Sequence, residues 1–118
     1  MLNLSKNITL NKNLEDITVS STIAATIGMI IVEILSNTIK YAFPDSKKGT
    51  ISIELKKINS QMVLIVEDNG IGLQKDFDIN KIKSIGLHLV NLMVTQLDGK
   101  IKFISENGTK IIIEFLLN

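Results

Sequence analysis

The sequence predicts an α+β fold: a two-layer sandwich in which two helices cover one face of a mostly antiparallel mixed sheet. Three observations carry this prediction. Two long stretches, around residues 21–42 and 84–97, repeat their apolar residues at helical spacing. Shorter stretches at 50–58 and 62–68, and a last one beginning at Thr109, read as strands with one apolar face. Turn signals at Asn59-Ser60 and Asn107-Gly108 join neighbouring strands as antiparallel pairs. With 118 residues, the chain suits a single domain built on one core.

The elements follow in order. Extended pieces are expected near Ile8–Leu10 and Ile17–Val19. Ser20 or Ser21 then caps a helix that runs to about Ala42, where Phe43-Pro44 stops it. In "TISIELKKI", Ile51, Ile53 and Leu55 point one way and Ser52, Glu54 and Lys56 the other. In "MVLIVED", Met62, Leu64, Val66 and Asp68 share a face, so Asp68 joins an apolar row. The polar stretch Leu73–Lys83 has no helix or strand period and leads to a second helix, "SIGLHLVNLMVTQL", which Gly99 can end. In the closing hairpin Thr109 shares parity with Ile111, Ile113 and Phe115, so its hydroxyl faces the core, while Lys100, Lys102 and Glu54 take the open face.

Composition narrows the function classes. Lys and Arg total 13 against 12 Asp and Glu, a net charge of +1, so no summed field favours nucleic acid or an anionic membrane. At 4% aromatic residues the chain lacks base-stacking platforms. Cysteine is absent, which removes disulfides and thiolate metal sites. The opening "MLNLSKNITL" does not read as a secretory signal, and the run "IAATIGMIIV" ends at Glu33, short of a bilayer span. The expectation is a soluble, cytoplasmic domain without direct membrane contact, cut from a longer parent that is free to carry an anchor elsewhere.

Three elements carry the chemistry. Glu33, Asn37, Lys40 and Tyr41 line one stripe of the first helix, either as a solvated face or as the wall of a cleft, since Ile30, Ile31, Ile34 and Leu35 flank it. Gly70 and Gly72 in "EDNGIG" follow a strand, where glycines serve a ligand's close approach or a plain turn. Lys75 stands where a dinucleotide fingerprint would have its third glycine, and no phosphate-loop motif occurs. Gly86 lies in the first turn of the second helix, where free amides bind phosphate or where glycine merely packs.

In this order the elements resemble the GHKL superfamily of ATP-binding domains, shared by histidine kinases, type II topoisomerases and mismatch-repair ATPases. Glu33-x-x-x-Asn37 is similar to its N box, "DNGIG" to its G1 box, "SIGLHLV" to its G2 box and "GTKIIIEF" to its closing strand. "KYAFP", residues 40–44, is most similar to one branch of bacterial and archaeal histidine kinases. The resemblance implies the Bergerat-type fold with ATP and Mg²⁺ as ligands. Asn37 would hold the metal through its amide oxygen, Lys40 and Tyr41 would meet phosphate or ribose, and Glu33 would polarise the nucleophile or support the metal through its ligands. Asp68 would accept the adenine amine with Thr109 nearby, Gly70 and Gly72 would shape the pocket mouth, and Gly86 with Leu87 would offer helix amides. Ser84 stands where many relatives have a glycine, and His88 reads as an ordinary helix residue.

The implied activity is that of an ATP-dependent protein histidine kinase. Its catalytic domain donates the γ-phosphate to a histidine on a separate dimerisation domain, which then serves a response regulator. Residues 73–83 are expected to be mobile without nucleotide and to close as a lid over it. The isolated domain is expected to be a monomer. Two other readings stay open: an anti-sigma-factor-like serine kinase of a partner switch, and a nucleotide-binding module without catalysis.

Overall fold

The computed structural model describes residues 7–43, 48–72 and 85–117. The elements are β1 (Asn7–Leu14), α1 (Ser21–Tyr41), β2 (Lys48–Ile58), β3 (Gln61–Asp68), α2 (Ile85–Gln96), β4 (Lys100–Ser105) and β5 (Thr109–Leu116). The expected lid over residues 73–83, with Ser84, lies outside the described residues.

The five strands form one sheet in the order β1-β2-β3-β5-β4. β1 and β2 are parallel and the remaining pairs antiparallel. A parallel pair needs a crossover, and α1 supplies it between β1 and β2. At the start, one eight-residue strand replaces two short extended pieces, and Ile17–Val19 is not a strand. Ile17 and Val19 instead pack against the core as part of the connection to α1.

Helix α1 begins at Ser20, whose Oγ accepts from the N–H of Ile23 at 3.2 Å and satisfies one of the free amides. Its far end closes with the Ala42 N–H donating to the Thr38 carbonyl. Phe43 then turns inward and is 3% exposed. Its ring lies so close over Gly49 that a Cβ there would sit 2.6 Å from Cζ.

Ile27, Ile30 and Ile34 of α1 and Val90, Met93 and Val94 of α2 meet Ile51, Ile53, Met62, Leu64, Val66, Ile111, Ile113 and Phe115 of the sheet in one core. Over its full length α1 is long and apolar enough to cross a membrane, although the apolar run read from sequence stopped at Glu33. Ile27, Ile30 and Ile34 on its inner side are buried in the domain core. Its outer side remains apolar, with Met29 59% and Val32 62% exposed.

The end of α2 departs from expectation in its cause. Asp98, not Gly99, takes the left-handed conformation, with φ 54°, and the Gly99 N–H donates to the Val94 carbonyl. Glycine is required at 99 because a Cβ would lie 2.7 Å from the Glu114 carbonyl oxygen of β5. The last hairpin turns through Asn107 and Gly108, both at positive φ.

Candidate nucleotide-binding site

Two structural ends meet at the site: the C-terminal half of α1 and the loop that leaves β3. On α1, Glu33 and Asn37 lie one turn apart and half-buried, while Lys40 and Tyr41 follow in the exposed last turn. The Asn37 Nδ2 donates to the Glu33 carbonyl at 2.8 Å. That bond fixes the amide's orientation, since only nitrogen can donate. A neutral amide oxygen is a fitting ligand for a hard cation such as Mg²⁺. Among the described residues there is no group of three His, Cys, Asp or Glu arranged to hold a metal.

Glu33 also borders an apolar groove of about 500 Å³ between the two helices, lined by Ala25, Gly28, Met29, Val32, Leu89 and Met93. The carboxylate therefore stands beside apolar surface.

At the end of β3, Asp68 is 7% exposed. Its cross-strand neighbour is Thr109, on the side of the sheet where parity places both. Asp68 Oδ1 accepts from the N–H of Gly70 at 2.8 Å and of Thr109 at 3.3 Å. Both bonds use the same oxygen, which leaves Oδ2 for another donor. Burial pushes the Asp68 carboxyl above the usual carboxylate range, the Gly70 and Thr109 amides pull it down, and the Glu67 charge pushes it further up. Asp68 is thus enclosed, in keeping with its place in the apolar row of β3. Ile71, 72% exposed, offers apolar surface on the same loop.

The two ends are joined. The Ile71 N–H donates to the Ala42 carbonyl at 2.9 Å. Gly70 permits the approach, because a Cβ there would lie 2.6 Å from Ala42 Cβ. Gly70 thus has a packing cause independent of any ligand. Gly72 has another: its φ is 80°, and a Cβ would sit 2.7 Å from Ser105 Oγ. Gly86 and Leu87 occupy the first turn of α2 and are half-buried.

Three contributors were not singled out from sequence. Ala42 acts through its carbonyl, which no side-chain pattern reveals. Gly108 read as a turn residue, yet at φ 124° it packs directly on the Asp68 carbonyl. Asn69 is named in the sequence only as part of "DNGIG", yet its Oδ1 accepts from the Thr50 N–H at 2.9 Å.

Comparison with known proteins places the chain in a family. Residues 22–118 match the model of the "Histidine kinase-, DNA gyrase B-, and HSP90-like ATPase" family. The chain is 31% identical over 94 residues to the sensor histidine kinase PdtaS of Mycobacterium tuberculosis, covering 76% of this chain and 19% of that protein. It is 25% identical over 107 residues to blue-light-activated histidine kinase 2 of Erythrobacter litoralis, covering 90% and 31%. The chain therefore spans about a fifth to a third of the length of these relatives. Among solved structures, the Erythrobacter litoralis EL346 blue-light-activated histidine kinase superposes with a TM-score of 0.87 at 26% identity, over 93% of this chain and 35% of that one. The Acinetobacter baumannii histidine kinase AdeS shares the fold, with a TM-score of 0.80 at 20% identity over 95% and 55%. The chain belongs to the histidine kinase-, DNA gyrase B- and HSP90-like ATPase family.

Proposed function

We propose that this domain binds ATP with Mg²⁺ and donates the γ-phosphate to a histidine on a separate phosphoacceptor domain of a sensor kinase. One observation carries the reading: the Glu33–Asn37 stripe and the Asp68 carboxylate are tied together by the Ile71–Ala42 hydrogen bond. Acceptors for a base and groups for phosphate thereby hold a fixed relation.

Asp68 accepts the exocyclic amine of adenine through Oδ2, and would face the guanine carbonyl with repulsion. Thr109, directly opposite, contributes its hydroxyl to the same edge. Lys40 and Tyr41 meet phosphate or ribose, and the amides of Gly86 and Leu87 at the start of α2 receive phosphate oxygens. The Asn37 amide oxygen would hold Mg²⁺ in part, and the ion would supply charge neutralisation at the phosphates. In the transfer, an imidazole nitrogen forms a bond to the γ-phosphorus and the bond to the β–γ bridging oxygen breaks, releasing ADP. Glu33 orients the imidazole and takes its proton. The apolar groove beside Glu33 gives the incoming domain a surface to rest on. A cytoplasmic position follows from the need for ATP and a response regulator.

Titrating the domain with ATP and Mg²⁺ tests the binding step, where saturable one-to-one binding is expected and none would overturn the reading. Incubating the full parent chain with γ-labelled ATP tests transfer. Label that is labile to acid and stable to base identifies phosphohistidine; base-labile label would identify the serine-kinase reading instead.

A further inference from the structure

We propose that Asn69 is a positioning residue for base recognition: its side chain ends the β2–β3 ladder one residue early and thereby sets the Asp68 carboxylate. The inference rests on the reading that Asp68 recognises adenine.

The register of β2 with β3 runs to the pair Ile51 and Asp68, so Thr50 and Asn69 would come next. At that position the Asn69 N–H donates to the Thr50 carbonyl at 3.3 Å. The return bond is made differently. The Thr50 N–H donates at 2.9 Å to the Asn69 side-chain oxygen. In a regular antiparallel pair that donor would take the backbone carbonyl of its partner. The side chain substitutes for the backbone, so the main chain turns away at Asn69 while the Thr50 amide stays satisfied.

The turn released in this way is the one that holds Asp68. Its Oδ1 accepts from Gly70, two residues on, and this bond spans Asn69. From the other side, Gly108 presses on the Asp68 carbonyl and lies against Asn69 Cα, while the Thr109 N–H reaches Asp68 Oδ1. The Asp68-Asn69 peptide is therefore clamped between β2 and β5, and the Asn69 amide oxygen supplies the β2 side. Without that acceptor the Asn69 backbone carbonyl is drawn back toward the Thr50 N–H. The Asp68–Gly70 turn then opens, and Oδ2 loses its aim.

The test compares ADP and GDP binding to the domain by calorimetry. In Asn69→Ala the ratio of ADP to GDP affinity should fall by about five- to tenfold, the worth of one mispositioned hydrogen bond. Asn69→Asp restores an oxygen at the same place and should return most of the ratio. A loss shared equally by ADP and GDP, or no recovery in Asn69→Asp, would overturn the proposal in favour of a purely structural turn. Asp68→Asn serves as the separate control. If it leaves the ratio unchanged, base reading by Asp68 fails whatever Asn69 does; if it lowers the ratio while Asn69→Ala does not, only the present inference fails.

Discussion

In the proposed role, Asp68 would answer two opposed demands. Base recognition asks for an ionised acceptor in an enclosed place, and enclosure raises its pKa, chiefly through lost hydration. A folded-state value above the unfolded one means that the folded chain holds this proton more tightly. The contribution to stability is then fully present below the unfolded value and is lost as pH rises through the folded one. At neutral pH the carboxylate is a cost to the fold. Asp68→Asn should therefore weaken ATP binding by about 1–3 kcal/mol, yet leave the nucleotide-free domain at least as stable, as calorimetry and thermal denaturation would read. Unchanged ATP affinity would remove the base-reading role. ATP affinity of the unaltered domain should also decline with acidification at a higher pH than an ordinary aspartate would give, and Asp68→Asn should lack that portion of the profile. Asn37→Ala should reduce the gain that Mg²⁺ brings to ATP binding more than it reduces metal-free binding. Equal losses with and without the metal would make Asn37 structural.

Among the elements, α1 shows what periodicity reveals and what it hides. Its span, its cap near Ser20 and its stop at Phe43 were legible, because caps and apolar spacing are local signals. Strand faces were equally legible by parity, which puts Asp68 and Thr109 on one side of the sheet, whereas their direct pairing is a matter of register. Close approaches between distant segments were not. Gly49 yields to the Phe43 ring, Gly70 to Ala42 and Gly99 to Glu114, and no local pattern in the sequence reveals any of these neighbours. For the same reason the boxes of the site could be read, but the bond that sets their spacing could not. Gly28 is the contrasting case. It lies exposed within α1, and an added Cβ would meet nothing within 4 Å. Gly28→Ala should accordingly raise stability by about 0.5–1 kcal/mol through helix propensity, measured by denaturant unfolding. A loss of stability would mean that α1 cannot accept even a methyl group at the groove.

For the whole molecule, the consequence lies in where the nucleotide would sit. The Ile71–Ala42 bond joins the end of the crossover helix to the loop after a central strand, so the two halves of the site come together only when helix and sheet have docked. A ligand held by both halves has no foothold on a partly unfolded chain. Its binding free energy then adds in full to the cooperative unfolding of the domain, about 2.7 kcal/mol at a hundredfold excess over Kd. ATP with Mg²⁺ should raise the melting temperature of the entire domain in a single transition and slow amide exchange at β3 and β5 as much as near the site. Protection confined to the loop after β3 would show that the ligand can be kept while the sheet opens. Occupancy of the site would otherwise report, in one number, that the chain has closed upon itself.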